Sequence, residues 1–139
     1  MATLQDLLVH ATKGIAMYAH RAAAFGVRDR DIDLFVTEAL FTTVTNVNFD
    51  ADRIDALVRR AAEVKDKARA MYHDAAIKAG NIEDTLSGPA VWQPAPDRDG
   101  LLTEGREVGI TVRRDARGDD ITALMELLTY GLKGTAAYA

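Results

Sequence analysis

Apolar residues recur every three or four positions from Thr3 to about Phe25. Leu4, Leu7, Leu8, Ala11, Ile15, Tyr18, Ala19 and Ala22 form one stripe, which predicts an amphipathic helix. Thr3 is expected to cap its first turn, Asp6 to sit where an acid suits the helix dipole, and Gly26 to end it in the left-handed conformation. A second helix is expected from about Arg30 to Thr45, capped by Asp29 or Asp31 and burying Ile32, Phe35, Val36, Ala39, Leu40, Thr43 and Val44. Its tail (Thr42, Thr43, Val44, Thr45, Val47) is β-branched, so packing rather than propensity must hold it. Asn46 and Asn48 mark a turn.

The third helix has the sharpest start signal. Asp50 is its expected N-cap, Asp52 lies in the first turn, and Phe49 with Ile54 occupies the two positions of a hydrophobic staple. It should run to about Ala79 and stop at Gly80-Asn81. Ile54, Leu57, Ala61, Val64, Ala68, Met71 and Ala75 keep heptad spacing. Short connections between three such helices imply an antiparallel three-helix bundle over residues 1–80.

Residues 81–118 break the pattern, with all three prolines (Pro89, Pro94, Pro96), five of the ten glycines and the only tryptophan, Trp92. A mostly irregular connector is expected, anchored by Trp92 on the bundle. It has room for a short helix around Leu101–Arg106 and for an extended piece where Val108, Ile110 and Val112 alternate with other residues. A last helix, capped by Asp119 or Asp120, fills residues 119–139 and still reads as helical at Ala139, as though cut. The expected fold class is mainly α.

The two ends share a pattern. Leu4, Leu7, Leu8, Lys13, Gly14, Ala16, Tyr18 and Ala19 recur as Leu124, Leu127, Leu128, Lys133, Gly134, Ala136, Tyr138 and Ala139, always 120 residues on. Glycine inside a helix costs about 1 kcal/mol relative to alanine. Its repetition at one register position implies that another backbone passes closely there. The reading is a duplicated bundle: the first helix opens one bundle, and the last opens a second that is incomplete.

Composition then narrows the chemistry. Of 139 residues, 48% are apolar and 27% charged, with a net charge of −4, as in an ordinary folded domain with no electrostatic reason to bind nucleic acid or an anionic membrane. No apolar run approaches the roughly 20 residues that span a bilayer. The N-terminus lacks the features of a secretory signal, so a cytoplasmic location is expected. The chain has no cysteine, which excludes disulfides, thiolate catalysis and thiolate-ligated iron–sulfur or zinc sites within it.

Four segments, LQDLLVHATKGIAMYAHRA, ALFTTVTNVNFD, SGPAVWQP and LMELLTYGLKGTAAYA, occur in this order. Together they resemble the N-terminal helical region of the hybrid-cluster proteins, also called prismane proteins or hydroxylamine reductases. The resemblance covers nearly the whole chain. It implies two three-helix bundles beside α/β domains that hold iron–sulfur and hybrid iron–sulfur–oxygen clusters, in proteins that reduce hydroxylamine to ammonia and to which nitric oxide reduction is also assigned. Carbon monoxide dehydrogenases share a related architecture. The family's cysteine cluster lies just ahead of the LQDLL helix, where this chain has Met1-Ala2-Thr3. Its hybrid-cluster ligands lie beyond Ala139. No catalytic, cofactor-binding or metal residue is therefore carried over. The expected role is a helical scaffold, inactive alone, whose partner is the cluster-bearing remainder of the enzyme on the same or a separate chain. The alternative is a stand-alone helical interaction or dimerisation module forming a homo-oligomer.

Other candidates have plainer readings. Asp6 and His10 are four apart on one helix, a spacing that can share a metal, but two ligands make no site; His20 and His73 stand apart. Asp29-Arg30-Asp31-Ile32-Asp33 imitates a calcium loop, yet Leu34 and Leu40 replace its glycine and glutamate. GLLTEGREVG is not a phosphate loop, and Ser87-Gly88-Pro89 reads as a turn. Arg113, Arg114 and Arg117 among Asp115, Asp119 and Asp120 read as solvated surface in a loop.

Overall fold

A computed structural model describes residues 2–44 and 50–139. Their regular structure is entirely helical: α1 (Ala2–Ala24), α2 (Arg30–Val44), α3 (Ala51–Lys78), a 3-10 turn (Gly88–Val91), α4 (Arg98–Glu107), α5 (Ile110–Arg117) and α6 (Asp119–Tyr138). The expected Asn46–Asn48 turn, Phe49 of the staple and Thr45 lie outside the described residues.

Local chemistry sets most boundaries. Gly26 takes φ 78° while Val27 N–H reaches the Ala22 carbonyl at 3.1 Å, and Gly80 takes φ 70° while Asn81 N–H reaches the Ala76 carbonyl at 2.9 Å. Both are glycine-terminated helix ends of the Schellman type. The Asp50 carboxylate accepts from the N–H groups of Asp52 and Arg53 at 3.0 and 3.3 Å. Asp29 caps α2, accepting from Asp31 and Ile32 at 2.8 and 3.2 Å.

Two expected caps are corrected. Thr3 lies inside α1, which begins at Ala2, and Asp6 lies beyond its first turn. Gly118, at φ 85°, stands at the N-cap of α6, leaving Asp119 and Asp120 in the first turn, where negative charge suits the dipole.

The core lies mainly between α1 and α3, which pack along their lengths; α2 covers α1 and touches α3 over a shorter stretch. The face α3 buries is not quite the heptad seam. Val58, Lys65 and Tyr72 are buried, whereas Leu57, Val64 and Met71 are half-buried. The buried positions keep a seven-residue repeat, with steps of four then three (Ile54, Val58, Ala61, Lys65, Ala68, Tyr72, Ala75), so the seam is the same period with its second row one position on.

Residues 81–118 are not the mostly irregular stretch expected. The short helix expected around Leu101–Arg106 is present within α4, and α5 follows it; Val108 caps α4, Gly109 lies between the two, and Ile110 to Val112 open α5 instead of forming an extended piece. Their apolar spacing was too short to separate the two periods. Leu101 is fully buried and joins the core with Ala90 and Trp92. The segment straps the bundle: Arg59 donates to the Ala95 carbonyl at 2.9 Å, Arg98 pairs with Asp52 and Asp55, and Tyr18 donates to the Ala90 carbonyl at 3.2 Å. α6 rests on α2 and α5.

Candidate functional site

Two places concentrate polar groups against apolar packing. At the first, Gly14 of α1 meets the strap. An added Cβ would collide with the Pro89 carbonyl oxygen and press on the Lys65 side chain. Lys65 is 2% exposed. Its ammonium donates to the Trp92 carbonyl and lies 6.0 Å from the Trp92 ring centroid, an arrangement with cation–π character. The Trp92 indole N–H donates to Glu104 at 3.3 Å. Burial, the largest influence, pushes the Lys65 ammonium below its ordinary pKa; Asp66 opposes and Arg69 adds to the shift. Sequence reasoning missed Lys65. The available signal was its place one turn after Ala61 and three residues before Ala68, on a stripe otherwise apolar.

The second is a cavity of about 40 Å³ to which α1 brings Asp6, His10 and Lys13, α5 brings Arg113, and α6 brings Glu126 and Lys133. Arg113 hydrogen-bonds Glu126 and donates from Nε to the Val108 carbonyl at 3.0 Å. Burial raises the Asp6 pKa against the pull of Arg113 and Lys133. Burial lowers His10, with Lys13 and Arg113 adding to it, and lowers Lys13, with Arg113 adding and Glu126 opposing. Arg113 is thus not the solvated loop residue expected: it is helical and turned inward. Arg114 remains exposed, 3.8 Å from Asp119, and Arg117 lies 3.3 Å from the Met125 sulfur.

The remaining candidates fall apart spatially. Asp6 and His10 share the cavity, but three cations surround them, and the described residues hold no group of three or more His, Asp or Glu arranged for a metal ion. His73 pairs with Glu83 at 3.0 Å. Asp29 is occupied by capping and by Lys67 at 3.2 Å; the Ile32 N–H, then Lys67, holds its carboxyl below the ordinary value. Gly100 and Gly105 lie within α4, packed against Ala95 and Thr3. Ser87 makes no cap.

The repeat separates into two environments. Leu4, Leu7, Leu8 and Tyr18 are core, while their counterparts Leu124, Leu127, Leu128 and Tyr138 face outward: Leu7 is 0% exposed and Leu127 68%, Tyr18 6% and Tyr138 95%. The expected close backbone exists at Gly14. Nothing described lies within 4 Å of a Cβ on Gly134.

The sequence model of the Prismane/CO dehydrogenase family matches residues 1–139. The chain belongs to this family. It is 49% identical over 139 residues to a hydroxylamine reductase of Rhodospirillum rubrum, covering 100% of this chain and 25% of that protein. It is 51% identical over 138 residues to one of Burkholderia lata, covering 99% and 25%. It is 44% identical over 142 residues to one of Geobacter sulfurreducens, covering 100% and 25%. The chain thus spans about a quarter of the length of these relatives. The family generally binds iron–sulfur clusters. With no cysteine, the residues here do not fit a thiolate-ligated cluster. No helix among the described residues is long and apolar enough to cross a membrane.

Proposed function

We propose that this chain is the helical scaffold portion of a hybrid-cluster enzyme that reduces hydroxylamine, and that the cluster ligands belong to the remainder of that enzyme. One observation carries the reading. α6 repeats the leucines, tyrosine and glycine by which α1 builds a bundle, yet leaves the leucines and tyrosine exposed and the space over the glycine open. A row of exposed leucines of this kind marks an interaction face. The division into a first bundle over residues 1–80, a strap over 81–118 and the opening helix of a second bundle over 119–139 follows from the same repeat. The remainder would supply helices that bury Leu124, Leu127 and Leu128 and a backbone segment that passes over Gly134. The scaffold's work is to support and cover the cluster-bearing domains in the cytoplasm.

The test is anaerobic reconstitution with a hydroxylamine reductase polypeptide lacking the matching quarter. Alone, the chain should hold no iron and turn over no hydroxylamine. Mixed with the truncated polypeptide, it should bind, restore turnover and slow hydrogen exchange along α6. Iron with turnover in this chain alone, or failure to bind the remainder, would overturn the proposal.

A second reading, self-association, draws on a groove of about 490 Å³ between α2 and α6, lined by exposed Leu34 and Phe41 with Ala136 and Ala137. Sedimentation discriminates: a monomer at every concentration removes it.

A further inference from the structure

The cavity between α1, α5 and α6 is built from the repeat itself. Asp6, Val9 and Lys13 of α1 and their counterparts Glu126, Thr129 and Lys133 of α6 line the same small space. Each repeat helix therefore presents the same three register positions to it, and both lysines line the cavity. Arg113 enters from α5. Among the described residues neither Lys13 nor Lys133 makes a hydrogen bond or an ion pair, whereas Glu126 is engaged by Arg113. Three fixed cations oppose two carboxylates, leaving one positive charge in excess with His10 neutral.

We propose that this cavity binds a small monovalent anion between the ammonium groups of Lys13 and Lys133 and the Arg113 guanidinium. Size and charge define the class. A single water needs roughly 10–15 Å³ of such space, so a cavity of about 40 Å³ holds a halide or a planar anion of three or four heavy atoms, and excludes a nucleotide or sugar phosphate. Asp6 limits the charge, because a divalent anion would meet its carboxylate inside the cavity, whose lining supplies only these three cations. The bound anion neutralises the excess and replaces the water lost by Lys13, as charge-assisted hydrogen bonds do in partly buried sites. His10, neutral with one ring N–H, adds a donor. Since the three cations come from three helices, occupancy would also tie α5 and α6 to α1.

Formate serves as the probe, titrated into the folded chain at constant ionic strength with gluconate as the oversized counter-ion and followed by backbone amide NMR. Saturable shifts centred on Lys13, Arg113 and Lys133 are expected. Lys133→Met should weaken binding by roughly tenfold or more, the scale of a lost charged hydrogen bond. Thr129→Leu retains every charge and fills the cavity; the Thr129 hydroxyl donates only to the Met125 carbonyl of its own helix, at 2.9 Å. It should abolish the shifts even if the lysine variant fails to fold. No saturable shift in the folded parent, or shifts that both variants leave unchanged, would overturn the proposal.

Discussion

Gly14 and Pro89 touch backbone to backbone: the helix surface at Gly14 has no room for a Cβ because the Pro89 carbonyl occupies it. The strap's path over α1 therefore depends on a missing methyl group. Gly14→Ala should cost about 1–3 kcal/mol through overpacking. Gly134→Ala, at the matching position of α6, has open space and should gain up to about 1 kcal/mol from helix propensity. Urea unfolding of the two variants reads the contrast; equal effects would contradict the contact.

Leu7 and Leu127 should differ in the same way. Leu7→Ala empties a fully buried site and should cost about 2–5 kcal/mol, whereas Leu127→Ala in this chain should stay within about 0.5 kcal/mol. Thermal midpoints check this. In the proposed complex with the cluster-bearing remainder, the second substitution should become costly too.

Leu101→Ala probes the strap. A residue on an exposed helix face would tolerate the change, but Leu101 is buried in the core. A loss of about 2–5 kcal/mol is expected, with α4 amides losing exchange protection first.

Lys65 gives the chain an alkaline signature. Its folded pKa lies below its ordinary value of 10.5, so between the two the unfolded state holds more protons. Stability should rise with pH through that window, the full cost being present below the folded value. Lys65→Met should remove this rise while keeping the buried stem. Thermal midpoints of both proteins from neutral pH to 10.5 give the comparison; parallel curves would show that Lys65 titrates normally.

Much of the fold was readable from local patterns, because helix ends are decided by neighbours in the chain. Asp50 needs only the N–H groups of Asp52 and Arg53 to cap α3, and Gly26 and Gly80 need only their freedom at positive φ. The strap was readable only at Leu101–Arg106, which lies inside α4. α4 and α5 are short, their glycines mimic loop signals, and what makes Gly105 acceptable in α4 is Thr3, a hundred residues earlier. The two polar clusters escaped for a related reason. Lys65 looks like any surface lysine until Trp92 is brought over it, and Asp6 and Arg113 share no motif.

The sequence by itself determined three amphipathic helices, the aspartate caps of α2 and α3, the glycine ends of α1 and α3, the duplication joining α1 to α6, the family, and the absence of thiolate ligands, since each is written in residue identity and spacing. Tertiary structure alone decided that the two repeats live in opposite environments, that a lysine is buried under the strap, and that three cations converge on one cavity. Those outcomes depend on which distant surfaces meet, and burial and electrostatic excess are properties of that meeting, not of any segment alone.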